Sequence, residues 1–189
     1  MGVLGRVRGV LTGRLVSLLY NGLVLPHLQY CLMVWGDFEA DRNVTRAAAL
    51  LKAQRRFVGF MAGIGGRYHA DPLFARFGVL KVGDLYKQQL RLFAWRFWNG
   101  RLPENQAAML TRVSDQHGYG TRSAGLGLVV GSGDHRVVAY KVPVEWSLPA
   151  ELRQAPTLGA FREGSKRGFL AGYGAFRCGG CWVCAGRDG

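Results

Sequence analysis

Residues 15–36 read LVSLLYNGLVLPHLQYCLMVWG, and this stretch decides which class of fold the chain can adopt. It contains no Asp, Glu, Lys or Arg, and its length matches the roughly 20 apolar residues that cross a bilayer. However, Asn21, Pro26, His27 and Gln29 lie in its middle, where a helix facing lipid tolerates few polar groups. No small-residue cleavage site follows it, as a secretory signal would require. We therefore expect no membrane role and predict a helix that is kinked at Pro26 and buried on most sides.

The composition points to an acidic partner. The chain has 189 residues, with 25 basic against 12 acidic side chains, a net charge of +13 and a pI near 10.3. Arg far outnumbers Lys, and the planar guanidinium suits phosphate. This balance favours nucleic acid as the partner. The alternatives are a basic protein kept soluble by its charge and a fragment whose acidic part lies elsewhere.

The pattern along the chain predicts an all-α fold, because helical periodicity recurs and no strand–helix alternation is present. The strongest amphipathic segment covers residues 43–61. Its apolar residues share one face at helical spacing, and they are Ala47, Leu50, Phe57 and Met61. Lys52, Arg55 and Arg56 fall on the opposite face, as in a helix that packs on a core and faces phosphate. The alternative is a merely solvated face.

An aromatic-rich helix is predicted over residues 85–98, LYKQQLRLFAWRFW. Lys87 and Arg91 lie on its more polar side, away from a stripe that consists of Tyr86, Leu90, Phe93 and Phe97. Trp95 and Trp98 could stack on bases, but an aromatic-rich helix more often belongs to a core. We therefore expect both tryptophans in the core.

Three residues are predicted to cap helices. Asp71, followed by Pro72, precedes a short helical pattern, and Asp84 precedes the aromatic-rich helix. Thr157 precedes a last helix over 158–172. Gly residues punctuate that last segment and lower its helix propensity, so we expect a poorly ordered extension there.

The C-terminal sequence CGGCWVC places Cys178, Cys181 and Cys184 at the spacing of zinc or iron–sulfur ligands. A tetrahedral site needs a fourth ligand, and no Cys or His follows. A distant His, a second chain or residues that this chain lacks would have to complete it. The alternative is a thiol-rich tail that binds no metal.

Motifs of self-contained enzymes are missing from the sequence. No phosphate loop, H-E-x-x-H or G-x-S-x-G motif is present, and no two acidic residues are adjacent. We therefore assign no catalytic residue and expect a binding module that is inactive alone.

An ordered series of segments resembles a known family. The segments are residues 18–36, LKAQRRFV at 51–58, HADPLFARFGVLKVGDLYKQQ at 69–89, RLP at 101–103, HGYGTRS at 117–123, AYKVPVEWSLPAELR at 139–153 and APTLGAFR at 155–162. Together they resemble the region downstream of the catalytic palm in reverse transcriptases of non-LTR, LINE-type retrotransposons, the class that includes the mobile element jockey-like polymerases. The resemblance covers roughly residues 5–173.

The sequence pattern and the resemblance together divide the chain into four parts. Residues 5–112 would form a helical thumb-like bundle with 15–36 as its inner helix, and 113–136 a flexible basic loop. Residues 137–173 would form a C-terminal helical extension, and 174–189 a disordered tail with the cysteines. The family's aromatic-x-Asp-Asp signature is absent, so the fingers and the palm with its Mg²⁺ would lie before Met1.

The resemblance also implies a partner and a location. A thumb holds the RNA–DNA primer–template, so the phosphate contacts would come from Lys52, Arg55 and Arg56, then from Arg67, Lys87 and Arg91. Duplex DNA is a further nucleic-acid partner to consider. A nuclear, intracellular location would follow if the retroelement role is kept. The alternative is a domesticated module that binds a protein partner through its aromatic helix.

Overall fold

The computed structural model describes residues 12–36, 44–65, 68–116, 127–130 and 137–173. Within these ranges the fold is all-α, as predicted, and an isolated bridge between Arg112 and Leu128 is its only β pairing. Residues 174–189 and most of 113–136 lie outside the described ranges. The helices are α1 Gly13–Leu19, a π-helical turn Tyr20–Val24, α2 Leu25–Gln29, α3 Leu32–Trp35, α4 Val44–Ala62, α5 Asp71–Arg76, α6 Val82–Trp98, α7 Glu104–Ala107, α8 Val113–Gln116, α9 Val138–Glu145, α10 Ala150–Arg153 and α11 Leu158–Tyr173.

Helix α6 lies at the centre of the bundle. Helices α2, α3, α4, α9 and α11 all pack against it, so its buried side chains cover most of its circumference and leave only the side of Lys87 and Arg91 half-buried. The buried residues are Val82, Leu85, Tyr86, Gln88, Leu90, Leu92, Ala94 and Trp95. They belong to one hydrophobic core that also includes Val142, Trp146, Phe161 and Tyr173 from the C-terminal helices. The helices of 137–173 therefore share their core with the N-terminal bundle.

Residues 15–36 are largely helical, as predicted, but the predicted burial on most sides is wrong. The stretch folds as α1, the π-helical turn, α2 and α3, and it buries mainly Val16, Tyr20, Leu28 and Leu32. Several of its large apolar side chains face solvent: Leu15, Leu18, Leu23, Tyr30 and Val34. None of the helices in the described part of the chain combines the length and the hydropathy that spanning a membrane requires.

Two interruptions of the helix explain why so much of this segment is exposed. Pro26 has no amide N–H, and the wide π-helical turn lies directly before it, with the Leu25 N–H donating to the Tyr20 carbonyl. Cys31 then adopts a left-handed conformation with φ 49°, which separates α2 from α3. Each short piece buries only one large side chain, as expected when a π-helical turn, a proline and a left-handed residue interrupt one helix.

Helices α4 and α6 end at glycines that reverse the chain. Gly63 has φ 79°, and the Ile64 N–H donates to the Gly59 carbonyl at 3.0 Å. Gly100 has φ 62° and ends α6 in the same way. This left-handed cap satisfies carbonyls of the last turn, and glycine adopts it without a Cβ penalty.

Two of the three predicted caps are wrong. Ala70 and Lys81 occupy the cap positions of α5 and α6, without a side-chain cap bond. Asp71 and Asp84 instead lie inside the first turns, where the helix dipole still favours a carboxylate. The cap at Thr157 is confirmed, because its hydroxyl accepts the Ala160 N–H at 3.1 Å.

Helix α11 is fixed to the start of α6 through Tyr173. The Tyr173 hydroxyl donates to Asp84 and accepts the Lys81 N–H. Burial and the Asp84 carboxylate together raise the pKa of Tyr173 well above its ordinary value.

On the same helix, Gly164 lets Leu152 of α10 approach, since a Cβ there would lie 2.6 Å from Leu152 Cδ1.

Candidate nucleic-acid interface

The candidate interface is the exposed side of α4, whose rotation about its own axis is fixed by one buried amide. Gln54 donates to the Tyr20 hydroxyl at 3.0 Å and to the Leu80 carbonyl at 3.1 Å. Its Oε1 accepts the Val82 N–H at 2.8 Å. A buried amide bonded on both sides fixes orientation, because any rotation of the helix would leave polar atoms unpaired. Gln54 therefore fixes which residues of α4 face outward.

The outward residues form a basic face, defined here as Lys52, Arg55 and Arg56. All three side chains are exposed. At about 100° per residue they span roughly a 100° arc, and this arc lies opposite Gln54. Buried Phe57, Val58 and Met61 are on that opposite side too. The structure thus brings together the three residues that the sequence placed on one face.

The other exposed side chains of α4 carry no negative charge, and most of them are short. The other exposed side chains of α4 are Thr45, Arg46, Ala48, Ala49 and Ala53. The helix contains no Asp or Glu, and no ion pair engages the basic face within the described ranges. Among the described residues, its cations therefore have no internal pair to break before they meet an external anion.

A tyrosine that the sequence did not indicate lies at the C-terminal end of this face. The Tyr68 hydroxyl donates to the Arg55 carbonyl at 2.8 Å. A Cβ at Gly59 would overlap that hydroxyl, so the ring can sit there only because residue 59 is glycine. Burial raises the pKa of Tyr68 above its ordinary value. The available signal was a glycine inside an otherwise regular helix, which often marks close packing.

The remaining predicted contacts lie elsewhere. Arg67 is outside the described residues. Lys87 and Arg91 belong to α6, and Lys87 is half-buried with an interaction of its own. Arg91 pairs with Glu145 at 3.0 Å, with both side chains 18% exposed, and lies over the Phe169 ring at 4.3 Å. Arg91 thus joins α6 to α9 and α11, and the structure does not gather it with the basic face.

The tryptophans of α6 are placed in the core rather than on a binding surface. Trp95 is 1% exposed and donates its indole N–H to the Ala155 carbonyl at 3.3 Å. Trp98 is half-buried, with its ring 6.1 Å from Trp146 and 4.8 Å from the Arg112 guanidinium. The core assignment is confirmed for Trp95, and Trp98 packs against the same core.

The predicted metal ligands Cys178, Cys181 and Cys184 lie outside the described residues. Across the ranges that are described, no three His, Cys, Asp or Glu side chains come together as a metal site. Zinc binding by the tail therefore stays a prediction.

Comparison with protein-family models, with curated proteins and with solved structures found no match to this chain.

Proposed function

We propose that this chain is the post-palm region of a LINE-type reverse transcriptase and makes non-catalytic contact with an RNA–DNA primer–template. The proposal assigns no catalytic step to it. The ordered sequence segments suggest the family, and the basic face of α4 supports nucleic acid as the partner. Lys52, Arg55 and Arg56 would each neutralise a backbone phosphate.

The carrying observation is the orientation of α4. Gln54 fixes the rotation of α4 through three hydrogen bonds. Lys52, Arg55 and Arg56 consequently stay together on the exposed side of the helix, and no ion pair within the described ranges engages them. Cations that already share one face can contact successive phosphates without a rearrangement of the backbone.

A salt titration tests the proposal. Binding of the purified chain to a labelled RNA–DNA primer–template is followed by fluorescence anisotropy across salt concentrations. Each phosphate contact releases counterions, so log affinity should fall linearly with log salt, by about 0.7–0.9 per contact. Replacing Lys52, Arg55 and Arg56 together with Ala should weaken binding and lower the slope by roughly two to three.

A matched variant controls for net charge. Arg14, Arg162 and Arg167 are also exposed, and they lie on α1 and α11. Replacing these three with Ala removes the same charge, but we expect a smaller change in slope because they are not part of the basic face. Equal loss in both triple variants would reject α4 as the interface. Absence of binding by the folded wild-type chain at low salt would reject the nucleic-acid function itself.

A second candidate is a domesticated protein-interaction module, favoured by the exposed apolar residues of the N-terminal helices. The aromatic helix α6 offers such a partner little surface, because five other helices pack against it. Leu18 and Val34 are 59% and 81% exposed instead. This candidate predicts a complex that survives high salt and is lost when both residues are changed to Glu. A complex that dissociates with salt and tolerates those changes would reject it.

A further inference from the structure

The basic face of α4 ends at an aromatic ring that a different segment supplies. Beyond Gly63, where α4 has ended, Tyr68 donates its hydroxyl to the carbonyl of Arg55. Gly59 follows Arg55 by four residues and Arg56 by three, so all three positions share one side of the helix. Tyr68 therefore occupies the place where a side chain of residue 59 would project.

The Tyr68 ring contacts α4 through its hydroxyl end. Of the Tyr68 atoms, Oη lies closest to the Cβ position of Gly59, followed by Cζ and then by Cε1. The body of the ring consequently extends away from the helix axis. Tyr68 packs partly against the core and remains partly exposed. Its hydroxyl is already engaged with Arg55, so what it offers to a ligand is the surface of its ring.

We propose that Lys52, Arg55, Arg56 and Tyr68 form one site for single-stranded nucleic acid, with an unpaired base stacked on the Tyr68 ring. This inference rests on the proposed function and specifies which part of a primer–template the chain holds. A basic track beside an aromatic ring is the combination by which proteins bind single strands, because cations follow the backbone and rings take the bases.

The ring is what separates a single strand from a duplex. Cations alone bind phosphates of either form, so the basic face by itself would not discriminate. Bases inside a duplex are already paired and stacked, and exposing one costs free energy. A single strand offers its bases without that cost, so the contribution of Tyr68 appears only there.

The test compares a labelled single-stranded RNA of about 12 nucleotides, the chemical form of the unpaired template, with a blunt RNA–DNA duplex of the same sequence. We expect Tyr68→Leu to weaken single-strand binding by about fivefold to tenfold, the lower part of the range for base stacking on an aromatic ring. Duplex binding should change by less than about twofold. Tyr68→Phe keeps the ring and should keep single-strand affinity. Tyr30→Leu, on the surface of another helical segment, should change neither.

A measurement on the wild-type chain does not depend on the variant folding. A central 2-aminopurine in the same oligonucleotide should lose fluorescence on binding if its base stacks on the ring. An abasic residue at the best-quenched position should weaken wild-type binding and leave Tyr68→Leu unaffected. Unchanged fluorescence, or equal weakening of single strand and duplex by Tyr68→Leu, would overturn the inference. Salt-dependent binding that the basic-face triple variant weakens would still support the proposed function in that case, whereas no wild-type binding would remove both.

Discussion

The apolar N-terminal segment 13–35 lies at the periphery of the bundle, whereas the more highly charged helix α6 lies at its centre. Their compositions alone suggest the opposite arrangement. Residues 15–36 contain no charged side chain, yet Tyr30 and Val34 are 76% and 81% exposed. Helix α6 contains four charged residues, yet it is the helix around which the others pack. Burial is thus decided by how many neighbours an element can reach. An uninterrupted helix of 17 residues offers a long surface over most of its circumference, whereas a segment interrupted by the π-helical turn and at Cys31 buries little of each short piece.

The charges of α6 do not prevent its burial, because they are paired or lie at its ends. Arg91 pairs with Glu145, and Asp84 accepts the Tyr173 hydroxyl. A buried charge is tolerated when a partner and hydrogen bonds replace its hydration. The hydropathy of a segment reflects its own charged residues but not the partners of those residues. Here the partners come from α9 and α11, so hydropathy alone does not predict the burial of α6.

The sharpest test of this comparison truncates one large side chain in each region. Trp95→Ala should lower the free energy of unfolding by about 3–5 kcal/mol, because it empties a fully buried site and removes an indole hydrogen bond. Leu18→Ala should change it by less than about 0.5 kcal/mol, since Leu18 is 59% exposed. Urea unfolding followed by circular dichroism measures both. A larger cost at Leu18 than at Trp95 would reverse the assignment of centre and periphery.

A second test cuts the connection between the two regions. Gln54→Leu fills a similar volume but leaves the Val82 N–H and the Leu80 carbonyl without their partner. We expect a loss of about 2–3 kcal/mol in the free energy of unfolding, the cost of buried polar groups left unpaired. Gln89→Leu is the control and should change it little, because Gln89 is a half-buried glutamine of α6 with no side-chain hydrogen bond among the described residues. Equal effects of the two changes would show that Gln54 does not connect the segment, α4 and α6.

The periodicity of a segment predicted those structural features that are determined by that segment alone. The bounds of α4, its basic face and the cap at Thr157 all follow from local spacing. The exposure of Leu18, the hydrogen bonds of Gln54 and the position of Tyr68 depend on residues distant in sequence. Tyr20 and Gln54 are 34 residues apart, and Tyr173 and Asp84 are 89 apart. Such pairs leave no periodic signal in either segment, so the face could be predicted and its aromatic end could not.

Two glycines separate helix propensity from packing. Gly168→Ala on α11 should stabilise the fold by about 0.5–1 kcal/mol, because its Cβ would enter open space. Gly59→Ala gains the same propensity but displaces Tyr68, so we expect a net loss of about 1–2 kcal/mol. Thermal unfolding of the two variants measures the difference in sign. Stabilisation by both changes would mean that Tyr68 does not hold its place over α4, and would also weaken the proposed base-stacking site.

The smallest expected effect is on how the free energy of unfolding changes at alkaline pH, and it concerns the contact of Tyr173 with the central helix. The folded pKa of Tyr173 is raised, so above pH 10.0 an unfolded chain loses this proton while the folded chain keeps it. The free energy of unfolding therefore falls with rising pH, by about 1.4 kcal/mol per pH unit for each such group. Tyr173→Phe should remove one group's share of that slope between pH 10 and 11, although it lowers stability at neutral pH by leaving Asp84 without its donor. The same slope in Tyr173→Phe as in the wild-type chain would mean that Tyr173 titrates as it does in the unfolded chain, and α11 would then not be fixed to the start of α6 through that hydroxyl.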